Sequence, residues 1–130
     1  MMAGATVDIT TTPVCAEMNF NRTLGEAFAK NGIVLGHTVL PLDTTAGGGS
    51  TDMGNVSQVV PAIHPFVKIG DPSLTPHTRE FQAAACTDSA HHGMLDGAKM
   101  LAMTAIDVWT DPDLLRRVHE EFARSMQPGS

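Results

Sequence analysis

The sequence predicts an α/β fold in which a partial sheet is covered by helices. Three short segments, at 5–12, 33–42 and 63–69, are rich in β-branched and apolar residues, as strands are. Two segments in the last third repeat their apolar residues with the period of an amphipathic helix. The 130 residues are enough for one domain. About three strands and three or four helices are few for a complete α/β layer structure, so the pattern indicates part of a larger fold.

The first third of the chain contains two strand-like segments around a helix. Ala5–Thr12 alternates in character and is followed by a proline, which favours a strand that ends there. Asn21 has the residue type of a helix cap, and the apolar residues after it predict a helix that stops at Asn31-Gly32. The apolar, β-branched run Ile33–Leu42 predicts the next strand.

A glycine-rich loop separates this part from the remaining elements. Asp43–Thr51 contains three consecutive glycines, which disfavour any regular element. Asp52–Val60 predicts one short helical turn that Asp52 would cap, and Ile63–Ile69 predicts a second buried strand. A loop containing proline follows, and the rest of the chain is expected to be helical.

The strongest helical signal lies between Met94 and Trp109. Its apolar residues fall at positions 94, 95, 98, 101, 102, 105, 106 and 109. We expect a helix from about Ser89 to Trp109 that packs the face formed by Met94, Ala98, Leu101 and Ala105 against the strands. Asp111 and Pro112 then provide a cap and a first-turn proline for a last helix.

Composition excludes several classes of partner and compartment. The net charge is −6 without a cluster of Lys or Arg, which argues against binding to nucleic acid. No apolar run approaches the ~20 residues of a membrane span, and the N-terminus lacks the pattern of a signal peptide. Cys15 and Cys86 are too few for a disulfide framework or a thiolate zinc site. Two free thiols in a cytoplasmic protein are therefore expected.

Six histidines raise the question of a metal or an acid–base site. His119-Glu120 lacks the second histidine of a zincin helix, so His119 is expected at the surface. His92 and Asp96 have the i, i+4 spacing of a metal pair, but an ordinary helical turn explains that spacing equally well. His37 lies in an apolar segment and is expected to be a core or edge histidine.

Two further histidines lie beside prolines that restrict their backbone. His64 is held between Pro61 and Pro65, which suits either a pocket wall or a packed structural residue. His77 follows Pro76 in a loop just before a predicted helix, so its imidazole could reach a metal at little entropic cost. The glycine-rich loop could bring backbone N–H groups close to a carboxylate, although it lacks the lysine of a phosphate-binding loop.

Three stretches together resemble one family, the di-zinc metallopeptidases and amidohydrolases, which includes aminoacylases, carboxypeptidase G, p-aminobenzoyl-glutamate hydrolase and the β-alanyl-lysine dipeptidases. The stretches are GSTDMGNVSQVVPAIHPFVKIG at 49–70, PHTREFQAAA at 76–85 and KMLAMTAIDVWTDPDLLRRVHEEFA at 99–123. They are most similar to the last two members of that group. The resemblance implies a zinc-dependent hydrolase that cleaves the amide bond of a dipeptide or an N-acyl amino acid.

The resemblance also implies roles for single residues and a division of the chain. His77 matches the last metal-ligand histidine of the family, which binds one zinc of a pair. Asp52, Gly54, Asn55 and His64 fall in the substrate-pocket segment. Residues 1–13 would end an inserted lid or dimerisation domain, 14–126 would be the C-terminal part of the catalytic domain, and 127–130 would form a tail.

The rest of the family's machinery has no counterpart among these residues. The other metal ligands and the glutamate base belong to an N-terminal half, so no catalytic residue is assigned here and the isolated chain is expected to be inactive. A missing half or a homo-oligomer would be its partner. Two alternatives stay open: a non-catalytic α/β remnant or assembly module, and a small metal-binding protein that uses His77, His91 and His92. If the family fold is kept, His77 should lie at the C-terminal edge of the sheet near Gly49–Asn55 and His64.

Overall fold

The structure, a computed structural model, describes residues 6–11, 14–40 and 50–127. Within these ranges the regular elements are all helices. They are α1 (Arg22–Val34), α2 (Met53–Ser57), α3 (Arg79–Ala84), α4 (Asp88–Thr110) and α5 (Pro112–Ser125). Long extended segments at 14–20, 37–40 and 61–69 connect or flank them.

The predicted α/β fold class is wrong for this chain. The described residues contain no strand or sheet, and the one β-type contact is a parallel bridge between Phe20 and Ala62. The Asn21 amide donates to the Ala62 carbonyl over 3.0 Å there. A strand exists only where a neighbour takes up its hydrogen bonds, and β-branched composition alone cannot supply that neighbour. Residues 6–11 and 63–69 are extended but not part of any sheet, whereas residues 5 and 12 lie outside the described ranges.

The predicted strand at 33–42 is replaced by the end of a helix. Ile33 and Val34 form the last positions of α1, which therefore passes the stop expected at Asn31-Gly32. Gly32 is buried there, and a Cβ on it would meet the methyl group of Met100 at 2.7 Å. The chain leaves α1 at Gly36, whose φ of +85° is the left-handed conformation common just after a helix. Residues 41 and 42, like the glycines at 47–49, lie outside the described ranges.

A small helical core forms where α1 meets α4 and α5. Ala27, Leu114 and Val118 are buried in it, and Leu24 and Val108 pack against them while partly exposed. Asn31 crosses the same interface, where its amide donates to Thr104 Oγ1 over 3.1 Å and to Asp107 Oδ2 over 2.8 Å.

The helix expected at 89–109 is confirmed, but its packing face is not. The expected face points outward: Met94 is 59% exposed, Leu101 is 55% exposed, and Ala98 and Ala105 are exposed as well. The buried positions of α4 are Ala90, Gly93, Gly97, Met100 and Thr104. Small residues on that side let other parts of the chain come close, so the Lys68 carbonyl lies against Gly93 and the Val67 side chain lies against Gly97.

Caps fix the ends of the helices largely as the sequence predicts. Asn21 accepts from the Leu24 amide over 2.9 Å, and Asp111 accepts from Asp113 and Leu114 at the start of α5. Asp52, in contrast, makes no capping hydrogen bond at α2. No helix in the described part of the chain is both long enough and apolar enough to cross a membrane.

Candidate functional site

His77 has the most unusual backbone in the described ranges. Its φ of +65° lies in the left-handed region, and no other non-glycine residue described shares this feature. An L-residue pays about 1–2 kcal/mol to adopt that conformation, and such outliers gather at functional sites. The imidazole is exposed to solvent. The geometry therefore presents this side chain outward at a conformational cost.

Hydrogen bonds of Thr78, the next residue, stabilise the turn that contains His77. The Thr78 hydroxyl donates to the Thr75 carbonyl over 2.8 Å and accepts from the Phe81 amide over 3.2 Å. The second bond caps α3, so the turn and the helix share one anchor. His77 is thus held between Pro76 and a capped helix, as the sequence predicts.

Gly54 and Asn55 have a clear structural role in α2. The Asn55 side chain accepts from the Ala16 amide over 2.9 Å and donates to the Val14 carbonyl over 3.1 Å. Gly54 is buried, and a Cβ there would overlap the Ala16 carbonyl oxygen. These contacts fix segment 14–20 against α2. A role for either residue in a substrate pocket stays a prediction.

Ser57 and Gln58 make further hydrogen bonds to segment 14–20. The Ser57 hydroxyl, which is fully buried, donates to the Gly54 carbonyl over 2.6 Å and accepts from the Asn19 amide over 2.9 Å. The Gln58 side chain donates to the Glu17 carbonyl over 2.7 Å. Polar side chains of α2 therefore replace the hydrogen bonds that a neighbouring strand would give to residues 14–19.

Asp52 and His64 are both exposed. Asp52 lies just before α2 in helical conformation. The ring of His64 stacks on Phe66 with a centroid distance of 5.7 Å and an angle of 28°. His64 also borders an apolar groove between segment 63–69 and α4, with a volume of about 540 Å³.

Sequence reasoning missed a polar cluster on α4. Asp96 pairs with His37, Nε2 to Oδ2 over 3.0 Å, and with Lys99, Nζ to Oδ1 over 2.8 Å. The hydrogen bond from Lys99, with a smaller one from His37, holds the pKa of Asp96 below its ordinary value. The i, i+3 spacing of Asp96 and Lys99 could have signalled this pair, whereas the contact with His37 depends on tertiary packing. Exposed His92 has no bond with Asp96.

The described residues do not assemble a metal site by themselves. No group of three or more His, Cys, Asp or Glu side chains converges in these ranges. Zinc takes four ligands, or three and a water molecule. One imidazole such as that of His77 therefore does not fit zinc without ligands from elsewhere. His119 is exposed, as expected, and both cysteines are exposed thiols.

The sequence of the chain is similar to those of known hydrolases. No family model matches the chain. It is 44% identical over 109 residues to the human Xaa-Arg dipeptidase, and 45% identical over 109 residues to the mouse protein of that name. It is 33% identical over 93 residues to a p-aminobenzoyl-glutamate hydrolase chain of Escherichia coli. These matches cover 82%, 82% and 68% of the chain.

The chain spans about a quarter of the length of the two dipeptidases and 19% of the length of the bacterial hydrolase. A match over 82% of 130 residues must include everything from about 24 to 107, wherever its ends fall. The segments that contain Asp52, His64 and His77 therefore lie inside the similarity. The family expected from the sequence is confirmed by these relatives.

Proposed function

We propose that this chain, which belongs to the M-twenty family of amidohydrolases and peptidases, is the C-terminal segment of a zinc-dependent enzyme that hydrolyses the amide bond of a dipeptide or an N-acyl amino acid. The observation that carries the proposal is 44% identity to a dipeptidase across 82% of the chain. Identity of that level over 109 residues includes the loop of His77 and the segment of His64.

His77 is the residue we propose to contribute to the chemistry. Its left-handed backbone and exposed ring support a role as one ligand of a zinc ion whose other ligands lie outside these residues. A ligand held by a strained turn needs little reorganisation when a metal binds. Asp52, Gly54, Asn55 and His64 are proposed to shape the substrate pocket, the middle two by fixing segment 14–20 against α2.

The proposal also assigns parts of the chain to domains of the enzyme. Residues 1–13 belong to an inserted lid or dimerisation domain, 14–126 to the catalytic domain and 127–130 to a tail. Within the described part, His77 belongs to no group of three or more His, Cys, Asp or Glu side chains that could hold a metal. The chain alone therefore hydrolyses nothing, and its partner is the remainder of the enzyme. We place this enzyme in the cytoplasm, in keeping with only two cysteines.

A chimera tests the proposal. The matched segment of the human Xaa-Arg dipeptidase is replaced by residues 24–107 of this chain, and release of arginine from an Xaa-Arg dipeptide is measured with added zinc. We expect an active chimera and no turnover by the isolated chain. His77→Ala in the chimera should reduce kcat/KM by more than the roughly 10- to 100-fold typical of an outer-shell change at a metal site. His91→Ala, at an exposed position in α4, is the matched control and should leave activity unchanged.

Two outcomes would contradict the proposal. A chimera that folds by circular dichroism and binds zinc but has no activity would favour a non-catalytic assembly module. Turnover by the isolated chain that His77→Ala abolishes would require a complete ligand set within these 130 residues. The metal-binding alternative built on His91 and His92 would be supported if His91→Ala removed zinc from the isolated chain.

A further inference from the structure

We propose that Thr78 is a positioning residue for His77: its hydroxyl, bound to the Thr75 carbonyl, holds the His77 backbone in the left-handed conformation that presents the imidazole. Thr78 would act through His77 and not on the substrate. The consequence for hydrolysis rests on the proposed function, in which His77 is one zinc ligand, whereas the conformational role can be measured on the chain alone.

Residues 75–78 have the pattern of a type II turn. Pro76 stands at the second position, which suits proline because its ring fixes φ at about −65°. His77 stands at the third position with a φ of +65°. Type II turns require a positive φ at this position and normally place glycine or asparagine there. A residue with a Cβ pays a conformational cost in that region, so a contact has to hold the turn closed.

The contact that closes the turn comes from a side chain. In a type II turn the amide of the fourth residue often donates to the carbonyl of the first. Among the described residues the Thr78 amide makes no such bond, and the Thr75 carbonyl accepts from the Thr78 hydroxyl over 2.8 Å. The same hydroxyl accepts from the Phe81 amide over 3.2 Å, which ties it to the start of α3. The hydroxyl therefore supplies the hydrogen bond that spans His77.

A second threonine has the same side-chain bonds without this role. Thr87 caps α4, donating to the Ala84 carbonyl over 2.7 Å and accepting from the Ala90 amide over 3.3 Å. There the Thr87 amide also donates to the Ala84 carbonyl, over 3.1 Å. Neither of the two residues inside that turn has a positive φ. The turn at Thr87 is thus closed by backbone as well, whereas the turn at Thr78 depends on the hydroxyl.

Loss of the Thr78 hydroxyl would lower the fraction of molecules in which His77 is correctly placed. The preference of an L-residue for negative φ over the left-handed region corresponds to about 5- to 30-fold in population. The affinity for a ligand falls in proportion to the fraction of molecules that are competent to bind it. Zinc held by His77 and by ligands outside these residues would therefore bind about 5- to 30-fold more weakly.

Nuclear magnetic resonance of the 130-residue chain tests the conformational role in the absence of metal. A strong nuclear Overhauser effect between the amide and Hα protons of one residue marks a positive φ, because the two protons are then close together. We expect this signal for His77 in the unaltered chain and in Thr78→Ser, which keeps the hydroxyl. We expect it to weaken in Thr78→Val, which removes the hydroxyl at nearly constant volume. Thr87→Val is the matched control and should leave the signal of His77 unchanged.

The Thr78→Asp variant separates the turn from the cap of α3. An ionised aspartate accepts hydrogen bonds but cannot donate one, and aspartate is a favoured helix cap. This variant should keep α3 and still lose the positive φ of His77. If the signal of His77 stayed strong in Thr78→Val or in Thr78→Asp, or weakened equally in Thr87→Val, the proposed role of Thr78 would be wrong.

The chimera with the human Xaa-Arg dipeptidase tests the consequence for the metal. Competition with a chelator should show zinc affinity lowered about 5- to 30-fold by Thr78→Val, restored by Thr78→Ser and unchanged by Thr87→Val. Unchanged zinc affinity in Thr78→Val would overturn the positioning role. An unaltered chimera that folds but binds no zinc would refute the proposed function alone, because the signal of His77 in the isolated chain then still decides whether Thr78 holds its backbone.

Discussion

Replacing Gly93 with alanine measures how closely residues 67–69 pack on α4. A Cβ at Gly93 would overlap the carbonyl oxygen of Lys68, which is backbone and cannot rotate away. Gly97 faces the same segment, but its nearest neighbour is the Val67 Cγ2 methyl at 3.2 Å, which can move by a few tenths of an ångström. Both glycines are buried in α4, so one is a matched control for the other.

The magnitudes follow from two opposing terms. Alanine in a helix interior is favoured over glycine by about 0.8–1 kcal/mol. Overpacking a tight contact costs about 1–3 kcal/mol. At Gly93 the overlap with backbone exceeds the gain, so Gly93→Ala should lower the free energy of unfolding by about 1–2 kcal/mol. At Gly97 the two terms nearly cancel, so Gly97→Ala should change it by less than about 0.5 kcal/mol in either direction.

Urea unfolding followed by circular dichroism at 222 nm distinguishes these outcomes. The slope of the free energy against urea should be the same for both variants, because they bury the same surface. If Gly93→Ala were as stable as Gly97→Ala, or more stable, residues 67–69 would not lie against α4 as described.

Two further substitutions test other parts of the fold. His77→Gly should be more stable than His77→Ala by about 1 kcal/mol, because only glycine adopts a φ of +65° freely; equal thermal midpoints would show that the left-handed turn is not formed. Glu121 accepts from the Arg22 and Thr23 amides at the start of α1 over 2.7 and 2.8 Å, and Glu121→Gln should cost about 1–2 kcal/mol at pH 7. Burial raises the pKa of Glu121, but hydrogen bonds from Thr23 and Arg22 outweigh it, so the pKa is lowered on folding. The contribution of Glu121 to the free energy of unfolding is therefore complete above the ordinary glutamate pKa of about 4.3. It is lost as the pH falls through the lower pKa of the folded state. Urea titrations that give an equal cost of Glu121→Gln at pH 7 and at pH 2.5 would refute this pH dependence.

Local signals in the sequence predicted local structure well. Asn21 and Asp111 begin helices because their side chains accept from amides two or three residues later, a contact fixed by short-range geometry. The loop of His77 was recognised because Pro76 and a following helix are visible in the sequence. Its left-handed φ was not, since histidine has no strong preference for that region and the turn is closed by Thr78.

Features that depend on distant contacts were predicted less well. Segment 63–69 has the composition and alternation of a strand, and it is extended, but pairing requires a neighbour that the described residues do not provide. Ile33 and Val34 favour strands by composition, yet α1 continues through them because its preceding turns pack on α4. The contact of His37 with Asp96 joins residues 59 positions apart, and no spacing rule could have found it.

The misassigned face of α4 follows from a helix that is apolar on more than one side. Periodicity correctly located the stripe of Met94, Ala98, Leu101 and Ala105, and a stripe of this kind normally faces a core. The contacts in this chain instead involve Gly93 and Gly97, which allow close backbone approach, while Ile106 and Trp109 are 58% and 88% exposed. The exposed stripe of α4 and segment 63–69 border the same groove, so the apolar residues that the periodicity located line an open surface of the described structure and not its core.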